Sequence, residues 1–189
     1  PKDKVDFIDI DTSQAFSVAT SMIPFLNHDD ASRALMGSNM QKQATPCIVP
    51  EAPLVATGIE GKAVRDTGRL VLAEEEGVVT VADAKRIVVK ANKSGKEKEY
   101  KLVNFSRTNG FTCFHQRPSI NVGDKVKKGD VMADTSSSDR GEMALGQNIF
   151  IAFMSWSGAN YEDAIILSER LVKQSKFTTI HIEEFVVNV

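Results

Sequence analysis

Two groups of side chains have the types and spacing to do chemistry. The first lies in His28 to Gln43, HDDASRALMGSNMQKQ. At about 100° per residue, Arg33, Met36, Asn39, Met40 and Gln43 fall on one arc of about 120° of a helix. A core-facing arc would be filled with Leu, Ile and Val. This one mixes a permanent cation, two carboxamides and two flexible thioethers, a set suited to holding a polar, anionic ligand against apolar flanks. The plainer alternative is a half-exposed helix with Met36 and Met40 in a core and the polar residues solvated. The second group is Glu162–Asp163, adjacent acids after a loop. Hard oxygen ligands of this kind can hold Mg²⁺ beside a phosphate when the substrate supplies the remaining ligands. They are also ordinary on a solvated surface.

Several elements must position these groups. Asp29 and Asp30 stand where an N-cap would and suit the positive end of a helix without any other role. Gly37 weakens the middle of that helix and would admit a backbone or ligand close to it. Upstream, Val5 to Ile10 alternates as a short strand, and Thr12 and Ser13 can cap a helix over Gln14 to Met22 with Ala15, Val18, Ala19 and Met22 on its buried side. Pro24 ends it. Pro46, Pro50 and Pro53 make TPCIVPEAP an extended linker, and a short helix is predicted from Gly58 to Asp66, stopped by Gly68. From Arg69 to Asp134 the pattern is β: RLVLA, GVVTVAD and KRIVVKA are β-branched runs at hairpin spacing. Asn92 to Glu99, NKSGKEKE, reads as a solvated loop. Ile149 to Met154 reads as a buried strand, SGAN as a turn, and Phe177 to Ile182 as a closing strand. The ending IEEFVVNV and the charged lead-in PKDKVDFIDID together suggest a fragment whose edges need partners.

Composition narrows the classes. With 189 residues, 42% apolar and 25% charged, the chain can bury a core and is not disordered. A net charge of −2 gives no global argument for nucleic acid. Locally, Lys85 to Arg107 holds eight Lys or Arg against two Glu, a net +6. Such a stretch can track a phosphate backbone or simply keep a surface soluble. Cys47 and Cys113 are far apart and outside any C-x-x-C, which argues against a zinc ribbon or a disulfide framework and fits a reducing compartment. Met143 to Tyr161 is a run of 19 uncharged residues. Its Gln, Asn and Ser content makes it a poor membrane span.

Val122 to Asp134, VGDKVKKGDVMAD, carries two Gly-Asp turns, each followed by an apolar step. It resembles the turn-and-strand signature of barrel-sandwich hybrid domains, the fold of biotinyl and lipoyl carriers. Those carriers attach the cofactor to a Lys at a hairpin tip. The candidate tip here, Met132-Ala133-Asp134, has none, so the resemblance implies the fold and not the carrier activity. The expected fold class is α+β and β-rich: a barrel-sandwich-hybrid-like β-domain, residues 59–140, inserted in a mixed helix and strand framework of residues 1–58 and 141–189.

HDDASRALMGSNMQKQA, then GEMALGQNIFIAFMSWSGANYEDAIILSERLV, then FTTIHIEE, in this order, resemble the bacterial DNA-directed RNA polymerase beta subunit over essentially the whole chain. The resemblance implies an internal piece of a larger nucleotidyltransferase subunit, from its hybrid-binding, active-site part. Arg33 would contact the phosphates of the incoming nucleoside triphosphate, where a planar fork of donors fits. Asn39 would face the active centre, and Gln43 would lie near the RNA 3′ region. Glu162 and Asp163 would stand beside the second, nucleotide-borne Mg²⁺, with the first metal held by the beta-prime subunit. Asp30 and Gly37 would have structural roles. Implied partners are the beta-prime, alpha, omega and sigma subunits, the DNA template and the RNA–DNA hybrid, in the cytoplasm at the nucleoid, with no membrane. The isolated piece would be inactive. The family's usual stretch close to MPWNGYNFED is MSWSGANYED here, departing at Ser155, Ser157, Ala159 and Tyr161, which bears on the pose of Glu162. Lys42 replaces a usual arginine.

Two other readings stay open. The β-insert could be a non-catalytic interaction module for transcription factors or other subunits. A metallo-phosphohydrolase on His28-Asp29-Asp30 would need further ligands, and His115 and His181 lie in unrelated contexts.

Overall fold

In the computed structural model the described residues are 2–188, without the side chains of Lys2, Thr12 and Ser13. The expected caps Thr12 and Ser13 therefore lie outside the described side chains. The rest is mixed, strand-rich and antiparallel.

The β half is built from β1 (Val71–Leu72), β2 (Gly77–Ala82), β3 (Arg86–Ala91), β4 (Glu97–Lys101), β5 (Ser106–Arg107), β6 (Cys113–Phe114), β7 (Arg117–Pro118), β8 (Lys125–Val126), β9 (Val131–Asp134), β10 (Ser138–Asp139) and β11 (Glu142–Met143). They form sheets in the orders β4-β3-β2-β8 and β1-β9-β7, and the pairs β5-β6 and β10-β11. The β-branched runs of β2 and β3 supply the inward set. Val79, Ile87 and Val89 pack with Met132 and Ala133 of β9 and with Leu102 and Val126 in one core. Val79, Ile87 and Met132 are withdrawn from water, each contributing about 1.5–3 kcal/mol. A register shift between Val79 and Val81 bends β2 over this core.

The two Gly-Asp turns extend the strand pairing at β2–β8 and at β1–β9. Gly123 and Gly129 have φ of +95° and +90°, which only glycine adopts freely. Asp124 and Asp130 each accept a backbone N–H three residues back, from Asn121 at 2.7 Å and Lys127 at 2.8 Å. The Gly123 N–H donates to the Val79 carbonyl at 2.8 Å, and the Val79 N–H donates back to the Asp124 carbonyl at 2.9 Å. Gly129 and Asp130 repeat the exchange with Ala73, at 2.7 and 2.9 Å.

The helical part holds α1 (Val18–Ser21), α2 (Ala31–Lys42), α3 (Glu60–Asp66) and the later α4 (Glu169–Lys173). Asp30 caps α2 as expected, its carboxylate accepting the Ser32 N–H at 3.0 Å. The inner face of α2 runs through Ala34, Gly37, Ser38 and Gln41, at i, i+3, i+4 and i+7, with Ser38 buried. Small residues let the helix lie close to its neighbour, and Gly37 faces Ile23, whose Cδ1 would stand 3.9 Å from an added Cβ.

The proline-rich stretch is pinned to the C-terminal part. Cys47 bridges to Thr179 and Glu51 to Gly146. Glu51 also ion-pairs with Lys176 and accepts the Asn148 N–H at 3.0 Å. Gln147 donates to the Val49 carbonyl at 2.6 Å and accepts the Phe177 N–H at 2.7 Å.

Several expectations are corrected. Val5 to Ile10 forms no strand; Phe7, Ile8 and Ile10 are exposed and have no neighbouring strand among the described residues. The helix expected over Gln14 to Met22 is broken into a 3-10 turn, Thr12–Ala15, and the short α1, because Ser17 intervenes as a cap accepting the Thr20 N–H. Ala15 and Val18 are exposed, and Ala19 and Met22 half-buried. The loop Asn92 to Glu99 ends early, since Glu97 already belongs to β4, a charged edge strand. Met132-Ala133-Asp134 is no tip: it lies in the central strand of β1-β9-β7 and is buried. Ile149 to Met154 is neither strand nor buried, with Phe150 and Phe153 94% and 96% exposed. Phe177 to Ile182 contributes isolated bridges only.

Candidate functional site

Because the inner face of α2 is packed with small residues, the expected arc points outward. Arg33, Met36, Asn39, Met40 and Gln43 are all exposed. The alternative that puts Met36 and Met40 in a core is overturned, as both thioethers stand in solvent. The stripe is lightly tied down. One Arg33 guanidinium nitrogen lies 3.8 Å from the Met36 sulfur, and Asn39 accepts from Lys42 Nζ at 3.2 Å. Arg33 has no ion pair among the described residues. Apart from that weak contact with sulfur its donor fork is open to an outside acceptor, and the two thioethers offer adaptable apolar contact beside it.

Glu162 and Asp163 are exposed too. The loop before them is held by Asn160, which accepts the Trp156 N–H at 2.8 Å and donates to the Met154 carbonyl at 2.7 Å. Glu162 has a φ of 56°, in the left-handed region that a β-carbon disfavours. Neither carboxylate has a hydrogen-bond or ion-pair partner among the described residues, so their oxygens are open to a cation. No cluster of three His, Cys, Asp or Glu able to hold a metal forms among the described residues. Two exposed acids suit Mg²⁺ only as part of a shell completed by phosphates and water. The same observation leaves His28-Asp29-Asp30 without the further ligands a metallo-hydrolase needs.

No hydrogen bond or ion pair links the α2 stripe to the doublet among the described residues, and neither group lines the two half-open cavities. The first cavity, of about 320 Å³, lies on the other side of α2 and is walled by Gln41, Glu51 and Glu60. The second, of about 150 Å³, is lined by Cys47, Cys113, His115 and Arg117. Both thiols are buried and free, and burial raises their pKa, which makes them poor nucleophiles.

Glu51 and Glu60 are the organising residues not foreseen. Glu60 is buried; its oxygens accept the N–H of Thr57 at 2.9 Å and of Gly58 at 2.8 Å, with the Thr57 hydroxyl at 3.2 Å. The spacing Thr57-x-x-Glu60 is that of a capping box and was the available signal. The basic stretch is partly neutralised, Arg86 by Asp83 and Glu99 and Lys98 by Glu74.

The chain thus presents a capped helix with a guanidinium and carboxamides outward and, separately along the chain, an exposed acidic doublet. Residues 72–189 match the model of the family described as RNA polymerase Rpb2, domain 6, and the chain belongs to that family. It is 54% identical over 185 residues to the DNA-directed RNA polymerase subunit beta of Chloroflexus aggregans, covering 98% of this chain and 15% of that protein. It is also 54% identical over 182 residues to the protein of the same name from Acetivibrio thermocellus, covering 96% of this chain and 14% of that one. The chain thus spans about 15% of the length of the curated relatives it matches. The beta-subunit resemblance of the motifs is borne out. No helix among the described residues is long and apolar enough to cross a membrane.

Proposed function

We propose that this chain serves as the part of a DNA-directed RNA polymerase beta subunit that meets the incoming nucleotide. The observation that carries this reading is the outward stripe of α2, with Arg33 unpaired beside Asn39 and Gln43 on a helix whose inner face is already packed. Arg33 binds triphosphate oxygens with its planar donors. Asn39 and Gln43 orient the ligand toward the RNA 3′ end, where a carboxamide can serve sugar or backbone oxygens. Phosphoryl transfer depends mostly on positioning and charge neutralisation, so a few fixed polar groups suffice. Glu162 and Asp163 contribute two ligands to a nucleotide-borne Mg²⁺. When bound, that ion offsets charge on the leaving pyrophosphate.

The remaining ligands come from outside the chain, from beta-prime and the substrate, so the isolated chain has no turnover. The other partners in this reading are the alpha, omega and sigma subunits and the RNA–DNA hybrid, at the cytoplasmic nucleoid. Residues 59–140 act as a barrel-sandwich-hybrid-like insert in the frame of 1–58 and 141–189; the paired Gly-Asp turns support that assignment.

The test is Arg33→Ala in an assembled polymerase carrying this sequence. The KM for nucleoside triphosphate rises about tenfold or more, the scale of one lost charge-assisted contact. An unchanged KM and kcat remove the triphosphate role.

A further inference from the structure

We infer that Glu51 is a positioning residue: its carboxylate fastens both ends of the segment 149–175 to the stretch that leaves α2, and so places the Glu162–Asp163 doublet. Only the consequence for Mg²⁺ rests on the proposed function.

The segment has little else to hold it. Asn160 and Leu171 apart, every residue from 149 to 175 is exposed. Its hydrogen bonds and ion pairs among the described residues run within the segment or to residues 176 and 178. Its place on the frame is therefore set at its two ends, residues 146–148 on the entering side and 176–179 on the leaving side.

Glu51 reaches both. Its Oε2 accepts the Asn148 N–H at 3.0 Å on the entering side. Its Oε1 pairs with Lys176 Nζ on the leaving side. Its own backbone N–H donates to the Gly146 carbonyl at 2.9 Å. Each carboxylate oxygen thus takes one end, through a charge-assisted bond. Gln147 and Asn148 reinforce the junction with neutral bonds to Val49, Phe177 and Ala52. The stretch that carries Glu51 is itself stiff: the buried Pro50 fixes φ beside it, and the Ile48 N–H donates to the Thr178 carbonyl at 2.9 Å.

Exposure separates this pair from a solvated surface contact. The side chains of Lys176 and Glu51 are 21% and 31% exposed, while those of every other ion pair among the described residues are 44% exposed or more. Water and salt weaken the exposed pairs most. The hydrogen bonds from Lys176 and Asn148 hold the Glu51 carboxyl below its usual range, so the tie is charged at neutral pH. A small displacement far from the chemistry can lower a rate greatly, so loosening this junction moves the doublet's carboxylates without touching them.

The experiment compares Lys176→Met and Glu51→Ala in an assembled polymerase carrying this sequence. Lys176→Met keeps the stem and loses the cation; Glu51→Ala loses both bonds. The readouts are limited trypsin cleavage after Arg170 and Lys173, and a Mg²⁺ titration of nucleotide addition. Cleavage in Lys176→Met is faster by about fivefold, the scale of a partly exposed ion pair, and Lys176→Arg restores the wild-type rate. Both variants raise the Mg²⁺ requirement, and neither adds to it in an Asp163→Ala background, because they act through the doublet. A residue that only stabilised the fold would add its full effect there. If Glu51→Ala does not assemble, Lys176→Met decides. Wild-type cleavage in Lys176→Met overturns the inference. Faster cleavage with a wild-type Mg²⁺ requirement, where Asp163→Ala raises it, overturns it as well. If Asp163→Ala itself leaves the titration unchanged, the metal reading of the doublet has failed. Faster cleavage that Lys176→Arg restores still supports the tie.

Discussion

Glu60 and His115 are side chains whose ionisation the fold sets. Burial alone would raise the Glu60 pKa, but hydrogen bonds from Thr57 and Gly58 outweigh it and hold the carboxyl below the usual range. A lowered folded pKa stabilises above the unfolded value, and that contribution is lost as pH falls through the folded value. Glu60→Gln should cost about 1–3 kcal/mol at neutral pH, the scale of hydrogen bonds to a charged group. It should also flatten the acid limb of stability below about pH 4.3; urea unfolding across that range checks both. For His115, burial and then the Arg117 cation lower the pKa. The unfolded chain therefore takes up a proton first, and stability falls as pH drops from about 6.5 toward the folded value. His115→Phe keeps a ring to stack on Phe105, 4.6 Å away, and removes the buried Nδ1 that has no partner. Its urea midpoint should lose the dependence that begins below about pH 6.5 and lies above the acid limb of the carboxylates; a midpoint that keeps the wild-type slope in that window would contradict this. At this scale the sequence was readable where one residue acts on its own backbone. Asp30 as a cap and the Asn160 turn are examples, and Thr57-x-x-Glu60 could have been read the same way. Exposure was not readable. Periodicity placed Arg33, Met36, Asn39, Met40 and Gln43 on one arc, but could not say which arc faces the core when the packed face is Ala34, Gly37 and Ser38 rather than Leu and Ile.

Glycine positions test the elements. In α2, a β-carbon at Gly37 would make ordinary contact with Ile23, so the room that this glycine leaves lies toward the neighbouring chain segment. Gly37→Ala should raise stability by about 0.5–1 kcal/mol through helix propensity. A loss measured by thermal unfolding would show that Ile23 cannot give way. In β2, an added β-carbon at Gly77 would stand 2.4 Å from the Lys90 carbonyl oxygen and 2.7 Å from Val89 Cγ1. Gly77→Ala must push β3 away from β2 and should cost about 1–3 kcal/mol or more; wild-type stability would mean the two strands separate freely. The runs of β2 and β3 were legible because their apolar sets alternate toward a local core. β4 was missed because KEKEYK is charged, and only the hydrogen bonds of β3 and the half-buried Tyr100 make it a strand. Ile149 to Met154 erred the other way. A β-branched, aromatic stretch reports a preference for extended, half-buried surroundings, and no strand of this chain lies beside it among the described residues.

For the molecule as a whole, motif order carried the family, while the sheet pairing that closes the β part was not readable from local pattern. Val71 pairs with Ala133, so the two ends of the stretch from Arg69 to Asp134 are neighbours. A short linker replacing that stretch in an assembled polymerase should leave nucleotide addition largely intact if it is an interaction module. Loss of basal synthesis would make it a support of the active-site frame. In the same assembly, Asp163→Ala should slow addition and raise the Mg²⁺ requirement, and a wild-type Mg²⁺ titration would remove Asp163 from the metal. In the proposed function the outer face of α2 touches the triphosphate. The most direct measurement is photo-crosslinking with a nucleoside triphosphate bearing an aryl azide on its γ-phosphate, followed by peptide mapping. Label is expected within residues 31–43, displaced by unmodified nucleotide and lost in Arg33→Ala. Displaceable label elsewhere in the assembly, with none on this helix, would contradict it.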